Sequence, residues 1–213
     1  MRYALRYRGW RSYLGSPGDG RQRPQIPACA LLRALLVTRL LRQESFLAVE
    51  ALVRSAARRV LVIRASFGDD ALGYFTARLG VDPLRLAVAG VVRQAKRNKA
   101  FETSRWIGLA IDGTGAGRSR DKRCEQCRPV RNDQKEIVGY HHKVVMGSVV
   151  GTGLSLPLDV EPYGPGDSEY AAGQRLLRRS VANLGIRFAN YVVVDGEFAT
   201  APFLHTAGDL GLK

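Results

Sequence analysis

Apolar residues are spaced in two different ways along the chain: at helical intervals up to about Val92, and in runs of strand length after Trp106. In the first regime Leu32, Leu35, Leu36 and Leu40 recur on one helical face, and Phe46, Val49, Val53 and Val60 carry the pattern towards a break at Gly68. Asp69 is placed to cap a short helix ending at Gly80. Asp82 followed by Pro83 starts another, with Leu84, Val88, Val91, Val92 and Ala95 as its stripe. In the second regime Trp-Ile-Gly-Leu-Ala-Ile-Asp-Gly-Thr at 106–114 reads as a buried strand, and Gly115 to Lys135 as a polar, basic excursion. Ile137 to Val150 and Leu154 to Val160 read as two strands joined by a Gly-Thr-Gly turn. Pro162 to Gly166 is expected as a loop and Asp167 as the cap of a helix, with Leu177, Val181 and Leu184 on one face and Arg175, Arg178 and Arg179 on the other. A strand to Asp195 and a helix from about Ala199 to Ala207 follow. The pattern predicts an α/β mixed sheet over 105–213, a helical segment over 28–104 and a flexible basic arm over 1–27.

The 213 residues suffice for one large domain or for a domain with a smaller helical partner. Uninterrupted apolar stretches of 18 residues are absent and the N-terminus lacks the apolar block of a signal peptide, so the expectation is a cytoplasmic protein with no membrane partner. Three cysteines do not suggest a disulfide framework, and Cys29 is expected to be a reduced, packed thiol. Charge adds more. The net charge of +14 divides into +13 for residues 1–105 and +1 for residues 106–213, so the front half is the polyanion-seeking half, unless the arginine excess reflects coding composition. In the arm, Tyr3, Tyr7, Trp10 and Tyr13 alternate with arginines; such a segment can lie along a nucleic acid and stack on its bases, or be a plain flexible terminus. Arg93, Lys96, Arg97 and Lys99 crowd the end of one helix, where they suit the negative end of its dipole or a DNA contact.

Candidate chemistry sits at strand ends. The strands at 106–114 and 190–195 both finish in Asp-Gly, delivering Asp112 and Asp195. Strands lying side by side bring their carboxyl ends into one crevice, and two carboxylates there suggest a hard cation, magnesium above all. Taken singly, each Asp-Gly is also an ordinary turn. Cys124 and Cys127 form a Cys-x-x-Cys knuckle, with 13 residues between Cys127 and His141. Adjacent residues of a strand face opposite ways, so His141 and His142 are not expected to reach one ion together; structural zinc, a metal-free polar loop and a redox pair all remain open. His142 and Lys143 are also candidates for a phosphate contact. Gly113, Gly115 and Gly117 lack the final glycine and the following apolar helix of a dinucleotide loop.

Ala-Ile-Asp-Gly-Thr at 110–114, Arg-Cys-Glu-Gln-Cys at 123–127, Tyr-His-His-Lys-Val-Val at 140–145, Pro-Leu-Asp-Val-Glu-Pro at 157–162 and Val-Val-Val-Asp-Gly-Glu-Phe at 192–198, in this order, resemble the ribonuclease-H-like core of bacterial insertion-sequence DDE transposases. The resemblance spans about residues 105–213; the front half matches the family's DNA-binding segments only in charge and helicity. It implies a two-metal nuclease and strand-transfer site, in which three acids hold two magnesium ions about 4 Å apart, with Asp112 as the first acid and Asp195 as the second. It also implies binding to double-stranded transposon-end DNA, with self-association on it. The family's third acid is a glutamate on a later helix, and none of Glu197, Asp209, Asp159 and Glu161 occupies that position. The expectation is an incomplete, C-terminally truncated transposase that is inactive alone; the alternatives are a non-catalytic DNA-binding protein using the basic helical half and an unrelated magnesium nuclease.

Overall fold

The computed structural model describes residues 18–43, 45–60, 63, 65–101, 106–151, 153 and 155–213. The aromatic part of the expected arm, Tyr3 to Tyr13, lies outside them, as do Leu154 and the Val60 side chain. The chain divides into two compact units, Met1–Ala87 and Val88–Lys213.

The first unit is helical. Helices α1 (Ala28–Leu40), α2 (Phe46–Arg54), α3 (Ala57–Val60) and α4 (Asp69–Thr76) accompany a two-residue ladder between β1 (Gly18–Asp19) and β2 (Leu79–Gly80). Its core gathers Leu31, Ala34, Val37, Val49, Val53, Leu72 and Phe75. The buried face of α1 matches the expected one at Leu32 and Leu35 but not at Leu36 and Leu40, which are 48% and 68% exposed, while Ala34 and Thr38 are buried. Leucine and alanine lie on almost every side of this helix, so composition leaves its inward face undecided; small residues take the closest approach, and Thr38 meets the interior by donating its hydroxyl to the Ala34 carbonyl at 2.5 Å. Ser45 caps α2, its hydroxyl accepting from the Ala48 amide at 3.1 Å. α4 ends at Thr76 rather than Gly80. Its first amide, that of Asp69, is satisfied by the Glu50 carboxylate of α2 at 2.9 Å, and the next, that of Asp70, by the Asp69 carboxylate at 2.9 Å, so another helix shares the capping expected of Asp69.

Helix α5 (Asp82–Arg97) starts at Asp82 as the Asp-Pro signal predicts. Leu84 packs with the helical core, whereas Ala89 and Val92 belong to the core of the second unit. Val88 and Val91, expected in its stripe, are exposed.

The second unit is mixed α/β: β3 (Gly108–Ser119), β4 (Arg128–Arg131), β5 (Ile137–Val150), β6 (Leu156–Tyr163), α6 (Glu169–Leu184), β7 (Tyr191–Val194) and α7 (Ala201–Asp209). The long strand β5 organises it. One edge of β5 pairs antiparallel with β3 from Gly108↔Val150 to Ser119↔Tyr140. The other edge is shared end to end by β4, around Arg128↔His141, and β6, from Lys143↔Tyr163 to Val149↔Leu156. β7 runs parallel to β3 on its outer edge. β3 therefore extends beyond Thr114, through an irregularity between Gly115 and Gly117, into the segment expected as a polar, basic excursion; β4 also lies within that segment. Backbone pairing to β5 drives this extension, because the residues themselves carry no apolar alternation.

α6 covers one face of the sheet. Its Leu176, Leu177, Val181 and Leu184 share a core with Leu109, Ile111, Val145, Val149 and Leu158. Its cap is Ser168, whose hydroxyl accepts from the Ala171 amide at 3.3 Å; Asp167 instead accepts from the Ser168 amide and pairs with Arg175 at 2.6 Å. Among the described residues no helix is long and apolar enough to cross a membrane.

Candidate active site and thiol cluster

The pairing of β3 with β7 runs up to the two carboxylates; Asp195 follows the end of β7, whereas Asp112, expected at a strand end, lies within β3, which continues to Ser119. β3 and β7 pair in parallel through Gly108↔Tyr191, Leu109↔Val192, Ala110↔Val193 and Ile111↔Val194, where the ladder ends; extended by one step, that register would meet Asp112 and Asp195. Neighbouring strands lie about 4.8 Å apart, a gap across which two carboxylates can share a cation. Both residues are exposed. The Asp195 Oδ1 accepts from the amides of Glu197 at 3.0 Å and Phe198 at 3.4 Å, a turn that fixes the side chain as the chain leaves β7. Among the described residues neither carboxylate belongs to an ion pair.

Strand alternation assigns the faces. Leu109 and Ile111 point into the α6 core, so Asp112 lies on the other face, with Ala110 and, across the register, Val193. Asp159 and Glu161 are held on the α6 side: Arg179 pairs with both at 2.7 Å, and Arg175 pairs with Glu161 at 2.8 Å. Asp209 ends α7, and Glu197 is exposed in the turn after β7. Among the described residues no third acid joins Asp112 and Asp195 in a compact ligand group.

An acid that the sequence does not mark is Glu169, the first residue of α6. Its carboxylate lies against Gly113, in the space that a Cβ on that glycine would occupy, and it accepts a hydrogen bond from the Tyr163 hydroxyl. Burial, and then the Glu169 carboxylate, push the Tyr163 phenol above its ordinary value. The absence of a side chain at Gly113 thus makes room for Glu169. The glycine signals a close approach, but no local feature names the partner.

The basic candidates divide. On α5, Arg93 donates to the Asn183 carbonyl at 2.8 Å, and Lys96 donates to the carbonyls of Phe188 at 2.7 Å and Arg187 at 3.2 Å, with its ammonium 4.6 Å from the Phe188 ring. Burial lowers the Lys96 pKa. These two cations serve the end of α6 and the loop after it. Arg97 bonds to Gln94 within its own helix, and Lys99 lies just beyond the helix at a φ of 63°. Lys143 lines a cleft of about 400 Å³ with Arg118, His141, Gly115 and Gly117. Burial, followed by the charges of Lys143, Arg128 and Arg118, lowers the His141 pKa, and its Nε2 is buried without a hydrogen-bond partner.

His142 faces the other way. Its Nε2 lies 3.1 Å from the Cys124 Sγ and 3.3 Å from the Cys127 Sγ, and the two sulfurs are 3.7 Å apart. Register explains the choice of histidine: Arg128 pairs with His141, so the preceding residue, Cys127, falls opposite His142. For the Cys127 thiol, burial acts upward but is outweighed by hydrogen bonds from the Arg123 and Cys124 amides, by Cys124 and by the Lys122 charge, and the pKa is lowered. Cys127 is buried and Cys124 exposed; Cys29, expected to be packed, is exposed on the first turn of α1.

No protein-family model matches this chain, and no curated protein does. Among solved structures it is similar to a piggyBac transposase in a synaptic complex with hairpin DNA determined by cryo-electron microscopy, with 14% identity and a TM-score of 0.35, over 91% of this chain and 43% of that one. The chain thus spans less than half the length of that transposase, and likeness at this score does not establish a common fold.

Proposed function

We propose that the chain is a DNA-processing protein of the DDE transposase type, with a ribonuclease-H-like sheet on which Asp112 and Asp195 are the first two acids. The observation supporting this reading is the parallel β3–β7 register, which ends at Ile111↔Val194; one further step would set Asp112, within β3, beside Asp195, just past the end of β7. The strand arrangement supports it: β6, β5 and β3 are successive antiparallel neighbours, and β7 is added parallel to β3 after the α6 crossover.

The donor set fits a hard divalent cation, since both groups are carboxylates, both are exposed, and among the described residues no basic side chain pairs with either. Magnesium, when bound, would activate an attacking oxygen and stabilise a leaving one on a phosphodiester. Asp112 and Asp195 would hold and orient it. Lys143 pairs with Gly115, three residues along β3 from Asp112, and Arg118 lies three further; alternation puts their cleft on the opposite sheet face from Asp112, so they offer a separate basic contact for a DNA backbone. Two carboxylates offset two of the four positive charges of a metal pair, so weak metal binding and poor catalysis by this chain alone are expected. That shortage also favours a second reading, a DNA-binding protein that does not cleave.

Magnesium titration of the chain, followed by thermal stabilisation and by nicking of duplex DNA, separates the two. The transposase reading expects weak stabilisation by magnesium that disappears in both Asp112→Asn and Asp195→Asn. Equal magnesium response in the wild type and both variants would overturn it in favour of the second.

A further inference from the structure

We propose that Cys124, Cys127 and His142 form a zinc site, which staples the basic loop after β3 to the middle of β5. This rests on the thiol–imidazole geometry and not on the acidic pair. With Zn–S near 2.3 Å and Zn–N near 2.0–2.1 Å, tetrahedral angles require sulfurs about 3.8 Å apart and sulfur–nitrogen distances of about 3.6 Å. The chain holds its sulfurs 3.7 Å apart and its Nε2 at 3.1 and 3.3 Å from them. A disulfide would need the sulfurs at about 2.05 Å. All three donor atoms therefore already stand around one point.

Two independent pieces of backbone bring the ligands there. Cys124 and Cys127 sit on a tight turn in which the Cys127 amide donates to the Cys124 carbonyl at 3.2 Å and the Arg123 amide donates to the Cys127 sulfur at 3.4 Å. Amides aimed at sulfur stabilise a thiolate. His142 is pinned from both sides of β5, by β3 through Gly117 and by β4 through the neighbouring pair Arg128↔His141. On binding, both thiols release their protons to solvent and His142 binds through neutral Nε2, its proton on Nδ1; two thiolates then neutralise the dication. Three protein donors leave the fourth position to a solvent molecule on the exposed Cys124 side. Because the ligands join β5 to the turn, the metal fixes a segment that carries Arg120, Lys122 and Arg123.

Elemental analysis of the full chain, purified under reducing conditions with zinc supplied and excess removed, is expected to give one zinc per chain. His142→Ala and Cys127→Ser should each weaken zinc binding by at least about tenfold, while His141→Ala, one residue along the strand, keeps it. Should the variants fold poorly, wild-type chain under iodoacetamide still decides: Cys29 is labelled throughout, whereas Cys124 and Cys127 are labelled only after a chelator removes zinc. Substoichiometric zinc in the reduced wild type, zinc retained by Cys127→Ser, or labelling of Cys124 at the Cys29 rate with zinc present would each overturn the proposal.

Discussion

At Gly113 a single missing side chain lets the Glu169 carboxylate reach the sheet, where the Tyr163 hydroxyl holds it. Adding a methyl group there forces the carboxylate away or bends the strand, and overpacking of this kind typically removes about 1–3 kcal/mol. Gly113→Ala is therefore expected to lower the urea midpoint by an amount in that range, with Glu169→Ala in the same chain recovering part of it; an unchanged midpoint in the single variant would refute the packing. The same contact has a pH signature. Folded Tyr163 holds its proton more tightly than an unfolded tyrosine, whose pKa is about 10. Its contribution is complete below that value and is lost as pH rises above it, by up to about 1.4 kcal/mol per pH unit. Lys96, lowered by burial, acts in the opposite direction, so the measurement is the difference between wild type and Tyr163→Phe, which should shrink steadily on going above pH 10.

The ion network between α6 and β6 belongs to the scale of elements. Arg179 bridges Asp159 and Glu161, and the Asp159 side chain, which also accepts from the Val160 amide at 2.7 Å, is only 5% exposed, so truncating the arginine removes the cation that pairs with a carboxylate held away from water. Arg179→Ala is expected to cost about 3 kcal/mol, relieved in part by Asp159→Asn. Arg175, whose side chain is 44% exposed, should lose under about 1 kcal/mol when truncated, and urea unfolding of the three variants checks the order. Elements differ in how far they can be read from residues. The limits of β5 follow from its β-branched run, and the two faces of α6 follow from its leucines and arginines, because in both the buried side contrasts with the exposed one. In α1 that contrast is missing, and the inward face is decided by what packs on it. The distal half of β3 is held by backbone pairing to β5, which leaves no mark on side-chain type. At the site, Asp112 and Asp195 stand out because each follows an apolar run, although β3 continues past Asp112, whereas the choice of His142 over His141 depends on a register set by β4.

On the scale of the molecule, the lopsided charge is the feature most open to test, and the structure sharpens which cations count. The front half carries +13 of the net +14, yet Arg93 and Lys96 on α5 are committed to carbonyls at the end of α6 and after it. Substituting these two by glutamine should lower stability and leave the salt dependence of DNA binding almost unchanged. Arg118 and Lys143 face a cleft, and each, replaced by glutamine, should reduce the slope of log affinity against log salt by about 1 without unfolding the chain. For the wild type, neutralising 6 to 10 phosphates predicts a fall in affinity of about a thousandfold or more between 50 and 200 mM salt. A shallow slope would remove DNA as the partner of this charge. A steep slope untouched by Arg118→Gln and Lys143→Gln would move the contact away from the β3–β5 cleft and to the helical unit.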